Sequence, residues 1–360
     1  MDDANPPPGG FSGRGTLSNP KPRFLDRGVE RAEDGWYREE VPHSIATQVR
    51  PEPARSIISH NDSPDIPFEQ SINPYRGCEH GCVYCYARPS HAYMDLSPGI
   101  DFETKIFYKA DAARLLEEEL GRRSYVVKPI TIGANTDPYQ PVERDLRITR
   151  SLLEVLERTR HPVSLITKGS LILRDLDLLH SLSRDGLINV FVSVTSLDAD
   201  LKRTLEPRTA SPAARLRVVH ELAAAGIPTG VLVAPIIPAV NDSELERIVA
   251  AAADAGAFRA GYVLLRLPHE LKQLFRQWLD EHMPERSEHV MSLIRGARDG
   301  QENDPRFGSR MRGSGAWAQL LHDRFALACK RHGLSAGRAR ELSCAHFRPP
   351  VRGGQMTLGL

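Results

Sequence analysis

Between Phe68 and Leu267, short apolar runs alternate with helical patterns six times over, and that alternation restricts the fold more than anything else in the 360 residues. The strand-like runs are Phe68–Asn73, Val126–Gly133, Val163–Thr167, Ile188–Val194, Thr229–Ile236 and Gly261–Leu267, with Phe102–Lys109 a short extended link. Helical period marks Ala110–Gly121, Asp145–Arg158, Leu173–Leu182, the stretch ending at Ala225 and the one ending at Asp254. Ser211 before Pro212, with Gly226 and Pro228 behind, supplies an N-cap, a first-turn proline and a terminal glycine. Asn241 and Glu244 have the spacing of a capping box. A parallel strand is reached only through a crossover, so this order demands a parallel sheet. An open (β/α)6 partial barrel and a doubly wound sheet both satisfy it, and both place ligands at the C-terminal strand ends.

Around that core, residues 1–65 read as a flexible N-terminal tail rich in Pro, Gly and charge, and 349–360 as a terminal tail. The core spans 66–268. Residues 269–348 form a C-terminal helical extension with helices over Leu271–Leu279, Glu285–Arg295 and Ala316–Arg331, the last with Leu320, Leu321, Phe325 and Ala328 on one stripe. With 47 Lys+Arg against 46 Asp+Glu the chain has no global field for a polyanion. From Arg286 to Arg352 there are 13 basic and 6 acidic residues, a local excess of 7; they are scattered, which favours a solvated helical face over a nucleic-acid patch. No run approaches the roughly 18 apolar residues of a membrane helix. The start of the chain lacks a basic and apolar leader, so a cytoplasmic protein without a membrane partner is expected.

Three of the five cysteines, Cys78, Cys82 and Cys85, fall in eight residues just past the first strand-like run. Gly77 and Gly81 give that loop the backbone freedom to gather its sulfurs. A [4Fe–4S] cluster takes one thiolate per iron, so three thiolates leave one iron free for a substrate or cofactor. Structural zinc wants four closed ligands, and the fourth would have to be His80, His91 or a distant residue. A disulfide framework leaves one cysteine over. The spacing favours the cluster.

C-x3-C-x-Φ-C with Tyr84 at Φ resembles the signature of the radical S-adenosylmethionine (SAM) superfamily. Thr136-Asp-Pro-Tyr-Gln-Pro-Val-Glu143 resembles a bacterial subgroup related to spore photoproduct lyase. The resemblance covers about Phe68 to Pro268 and implies the partial barrel. It also implies Cys78, Cys82 and Cys85 as cluster ligands, with the amino and carboxylate groups of SAM on the remaining iron. Reductive cleavage of SAM to a 5′-deoxyadenosyl radical would follow, the electron coming from a flavodoxin or ferredoxin. Tyr84 and Tyr86 would line the adenine pocket, and Val233–Pro238 would support it. Asn135, Thr136 and Asp137 would accept from the SAM ammonium, Lys168 pair with its carboxylate, and Ser193 and Thr195 hold ribose hydroxyls. Glu206 and Arg208 would form a charged pair at the rim and touch SAM or substrate. Cys329 reads as a buried helical thiol. Cys344, near His346, is the better candidate for a hydrogen-atom donor, as a thiol is in spore photoproduct lyase. Gln355–Leu358 loosely resembles a sliding-clamp-binding peptide. Nucleic acid is the leading substrate class. The competing functions are a zinc-stabilised nucleic-acid-binding module and an iron–sulfur electron carrier without SAM chemistry.

Overall fold

The computed structural model describes residues 11–25, 44–336 and 341–350. Its strands, in chain order, are β1 (Gln48–Pro51), β2 (Ile58–His60), β3 (Gln70–Ile72), β4 (Tyr75–Arg76), β5 (Lys105–Tyr108), β6 (Ile130–Ile132), β7 (Val163–Thr167), β8 (Ile188–Ser193), β9 (Thr229–Ile236) and β10 (Arg259–Leu264). Strands β3, β6, β7, β8, β9 and β10 lie side by side in that order and are all parallel; β2 adds an antiparallel edge beside β3. A separate small sheet joins β1, β5 and β4. Every residue of β8 is buried, as a parallel strand covered on both faces requires.

The sheet curls. Arg266, just past β10, stands 5.6 Å over the ring of Tyr86 in the cysteine loop that follows β3. Val83 and Tyr84 share an apolar cluster with Leu265, Leu267 and Leu271. The two outermost parallel strands thus meet at their C-terminal ends although they are not paired, and the architecture is the partial barrel rather than the flat alternative.

Several elements differ from expectation for local reasons. β6 is shorter than Val126–Gly133 because Pro129 has no N–H to give the ladder. The helix expected over Asp145–Arg158 breaks at Arg147, whose φ is 54°, into Glu143–Leu146 and Ile148–Arg158. Buried Glu143 turns back and accepts from Thr149 N at 3.0 Å, capping the second piece. The capping box at Asn241 does not form. Its amide bridges Ile237 N and the carbonyls of Thr195 and Pro235, while Glu244 takes Ser196 Oγ and Leu197 N. Ser211 does cap Pro212–Ala224, accepting from Ala214 N.

The helical extension is part of the body. Helix Gly315–Arg331 buries Leu321, Phe325, Ala328 and Cys329 in the main core, with Leu320 outside that stripe and exposed. Ser335 then continues the sheet beside β10. Helices Leu271–His282 and Ser287–Gly296 pack under the cysteine loop, and Trp278 donates to Thr204 O at 3.1 Å.

The N-terminal region corrects the expected tail. Residues 11–25 lie against the cysteine loop, so close that a Cβ on Gly15 would sit 1.7 Å from Gly81 O. Their anchor is Glu103, wholly buried, which accepts from Gly15 N, Thr16 N and Thr16 Oγ1 and pairs with equally buried Arg88 at 2.6 Å. Arg14 donates to Glu103 O and Thr47 Oγ1, and β1 pairs with β5. The clamp-like peptide Gln355–Leu358 lies outside the described residues, as do Pro6–Pro8.

Removing one member of a buried ion pair leaves the other charge uncompensated, at about 3–5 kcal/mol. Glu103→Gln is therefore expected to lower the guanidinium midpoint by the equivalent of that range. A loss under about 1 kcal/mol, the scale of an exposed pair, would show that the anchor carries no such weight.

Candidate active site

After β3 the chain turns through Gly77 and Gly81, at φ 78° and 68°, and runs to Tyr86 across the C-terminal strand ends. A Cβ on Gly81 would meet Glu103 Oε2 at 2.9 Å, so the turn is both left-handed and crowded. Buried peptide groups need partners, and here they come from many sides. Cys78 N donates to Phe102 O (2.9 Å), Glu79 N to Gln140 Oε1 (2.9 Å) and Val83 N to Leu205 O (3.0 Å). Gln140 Nε2 donates to Gly77 O, Arg208 N to His80 O and Arg88 Nε to Cys82 O.

Cys78 and Cys82 are buried, Cys85 half-buried, and Cys85 touches the apolar groups around each of the other two. Burial, Asp137 and the other two thiols push the Cys78 thiol well up; burial and Glu206 push Cys82 to about 12, with Lys168 opposing. Thiolates in this setting need a cationic centre to become stable. His80 Nδ1 is 3.3 Å from Asp137 Oδ2, and His91 Nε2 sits on Lys105 O at 3.1 Å with its Nδ1 buried and unpartnered. Among the described residues, no three His, Cys, Asp or Glu side chains gather to hold one ion. The donor set fits a cluster that takes one thiolate at each of three irons.

The rim is built from the loops after β6, β7 and β8. Asp137 is saturated: Oδ1 accepts from Tyr139 N and Thr167 Oγ1, Oδ2 from Lys168 N and His80. Burial alone would raise its carboxyl; the His80 charge and these donors hold it at about 2. Thr136 is buried and donates to Tyr75 O, and Asn135 is exposed with its N–H on Asn73 Oδ1. Lys168, half-buried, donates no side-chain hydrogen bond among the described residues, and its ammonium lies 5.8 Å from the Tyr84 ring centroid. Tyr84 is buried with its hydroxyl 3.2 Å from Thr195 Oγ1, which also donates to Ala234 O. Ser193 is buried at the end of β8 and its carbonyl accepts from Arg215. Tyr86 is 47% exposed and donates to Ala134 O.

The expected Glu206–Arg208 pair is corrected. Glu206 pairs with Arg215 at 2.7 Å, both buried, and Arg208 pairs with Glu79 at 3.1 Å beneath the cysteine loop. Burial works against the Glu206 carboxyl, but Arg215, then Lys168, hold it below its ordinary value. Arg215, Arg88 and Gln140 were not legible as site residues, since arginine and glutamine in helices and loops ordinarily face water.

Cys344 is corrected too. Its neighbour Phe347 packs on Tyr125 and His161, and Arg348 N donates to Thr159 O, on segments that directly precede β6 and β7. That is the N-terminal end of the sheet, opposite the other cysteines. Four of the 13 basic residues of the C-terminal region are ion-paired among the described residues, Arg295 with Glu288, Arg306 with Asp304, Arg310 with Asp65 and Arg324 with Glu246, the last two with partners from outside the region. No helix among the described residues is long and apolar enough to cross a membrane.

Comparisons with known proteins agree with this geometry. A family model described as "Radical SAM superfamily" matches residues 72–252, half of the chain. An uncharacterised protein of Mycobacterium tuberculosis is 36% identical over 232 residues, covering 64% of this chain and 68% of its own. One of Methanocaldococcus jannaschii is 27% identical over 214 residues, 59% of this chain and 76% of its own. Among solved structures, spore photoproduct lyase complexed with dinucleoside spore photoproduct superposes at a TM-score of 0.58, with 17% identity over 79% of this chain and 80% of that one. A variant of the lyase with bound AdoMet and the same photoproduct gives 0.57, with the same identity and coverage.

Cys78→Ala, Cys82→Ala and Cys85→Ala are each expected to abolish iron and sulfide binding after anaerobic reconstitution, whereas Cys344→Ser leaves the wild-type stoichiometry. Full iron loading of the Cys82 variant would overturn the ligand set.

Proposed function

The chain belongs to the radical SAM superfamily, and from that premise we propose that it cleaves SAM reductively to begin hydrogen abstraction from a substrate entering at the C-terminal mouth of the partial barrel. Its cofactors are a [4Fe–4S] cluster and SAM. When bound, they supply the hard chemistry: one electron splits the sulfonium C–S bond into methionine and a 5′-deoxyadenosyl radical. The observation that carries the reading is the placement of Cys78, Cys82 and Cys85, with Cys85 against the apolar groups around the other two, on one loop pinned at the C-terminal strand ends.

The chain's own residues hold, orient and shield. Lys168 offers the half-buried ammonium, without a hydrogen-bonding partner among the described residues, that a SAM carboxylate requires. Glu206 is already paired with Arg215, which weakens its competition with that carboxylate for the Lys168 ammonium. Tyr84, clamped through Thr195, presents an apolar face for a flat ring. Asn135 has an exposed side chain beside the mouth, where an ammonium has an acceptor within reach. Thr136 and Asp137 act by holding the loops that carry Lys168 and His80, since their own donors and acceptors are occupied. The electron would come from an external donor of the flavodoxin or ferredoxin type.

Nucleic acid is the substrate class we carry forward, supported by the fold shared with a lyase that binds a dinucleoside photoproduct. The basic residues of the C-terminal region are scattered and four of them are ion-paired among the described residues, which favours a local contact over a broad polyanion surface. A salt series with single-stranded and duplex oligonucleotides tests this: log Kd should shift with a slope of about one to three phosphate contacts, and a flat response would remove nucleic acid.

Reconstituted, dithionite-reduced protein is expected to release 5′-deoxyadenosine from SAM; none from a fully loaded cluster would defeat the enzyme reading. Lys168→Ala should weaken SAM binding by roughly tenfold, the loss of one charge-assisted contact, with iron content unchanged.

A further inference from the structure

Arg266 is a guanidinium at the mouth that has no ion pair with a carboxylate among the described residues. It follows β10 and reaches over the face of Tyr86, the residue after Cys85. Its Nε is buried without a hydrogen-bond partner, and its other polar contact is a long one, Nη1 to the sulfur of Met311 at 3.8 Å. The carboxylates nearby are taken. Asp65 accepts both Nε and Nη2 of Arg310, at 2.7 and 2.5 Å, and Asp304 accepts from Arg306 and Ser309. Arg310 and Arg298 both lie close enough to Arg266 for their charges to repel it, while Asp65, already clasped by Arg310, attracts it from beyond hydrogen-bond reach. Arg298 is itself buried and directs Nη1 and Nη2 to the carbonyls of Arg310, Leu264 and Leu265, its Nε also being without a partner. A half-buried guanidinium beside two others is costly unless an anion joins it.

The surroundings describe what would join it. Tyr86 is 47% exposed and Phe307, stacked on Arg310, 59% exposed, so two aromatic faces flank the positive ground. Across the mouth lies exposed Asn135. Lys168 sits elsewhere on the rim, by Tyr84 and Glu206.

Resting on the radical SAM reading, we propose that Arg266 and the Tyr86 face form a seat for an oxyanion of the substrate, a phosphate or carboxylate borne next to a flat unsaturated group. A planar fork binds either anion bidentately while stacking on an aromatic ring. Substrate held there lies beside Tyr86 and Cys85, at the edge of the cluster loop, so the anion would orient the rest of the molecule toward the reacting centre.

The probes are phenyl phosphate, benzoate and neutral benzamide, measured by ligand-observed saturation-transfer NMR on the reconstituted full chain with SAM saturating. Wild-type protein is expected to bind at least one anion on the order of tenfold tighter than benzamide, and the tighter of the two identifies phosphate or carboxylate. Arg266→Gln should erase that preference and Arg266→Lys keep part of it. Equal binding of benzamide and both anions by the wild-type chain overturns the proposal without reference to any variant's folding, as does an anion preference that survives in Arg266→Gln. A parallel fall in SAM affinity in Arg266→Gln also overturns it, by giving the seat to the SAM carboxylate. Iron content and SAM binding of the wild-type sample report separately on the cluster, so a failure of the underlying reading is recognised as such.

Discussion

A loop that carries three thiols into a protein interior must first satisfy its own peptide groups, and most of the architecture around residues 77–86 answers that demand. The loop has no regular ladder of its own, so donors and acceptors arrive from Phe102, Gln140, Leu205, Arg208 and Arg88. They sit on four segments, Leu205 and Arg208 sharing one. The loop is thereby fixed only when the first strand, the β5 region and the β8–β9 connection are all in place. A buried unpaired peptide costs about as much as a lost hydrogen bond, which makes the thiol geometry a property of the assembled barrel rather than of the local sequence.

Buried charge serves the same end. Arg88 spends its guanidinium on the carbonyls of Cys82, Pro98 and Gly99 and on Glu103, while Glu103 collects the backbone of Gly15 and Thr16. An apolar pair would pack as well there, but it would leave those carbonyls and N–H groups orphaned. The Arg215–Glu206 pair does the equivalent on the opposite side, gathering Ser193 O, Ala210 O and Thr209. It also leaves Lys168 as the rim cation free to meet an incoming anion. The ion pairs therefore decide which charges are spent and which are on offer.

What the sequence showed and what it hid divide along the range of the interactions. Val163–Thr167 and Thr229–Ile236 were readable to the residue, because five- to eight-residue apolar runs between turn formers need no partner to be recognised. So was the Ser211–Pro212 helix start, a contact three residues long. The cysteine spacing was readable for the same reason. Hidden were pairs whose halves lie far apart: Gly15 with Glu103, 88 residues on, which turns a Pro- and Gly-rich stretch from apparent tail into buttress. Glu206 chose Arg215 over adjacent-looking Arg208 because the helix at 212–224 returns its buried face to the strand ends. Cys344 could be offered as a hydrogen-atom donor since nothing local says which end of the sheet a terminal segment crosses.

The open side of the barrel follows from how its edges are finished. In a closed ring, strand number and register fix the diameter. Here each outer parallel strand is capped separately, β3 by antiparallel β2 and β10 by the single bridge to Ser335. No ladder among the described residues joins the two edges, and side chains span the gap: Asp65 clasps Arg310 and Arg266 leans on Tyr86. The first contact is a saturated ion pair and closes its part of the gap. The second is a cation over a ring, with the cation's remaining donors unspent. A mouth closed on one side by a completed pair and on the other by an incomplete one admits a ligand where completion is still possible, and its anionic end enters next to the thiols.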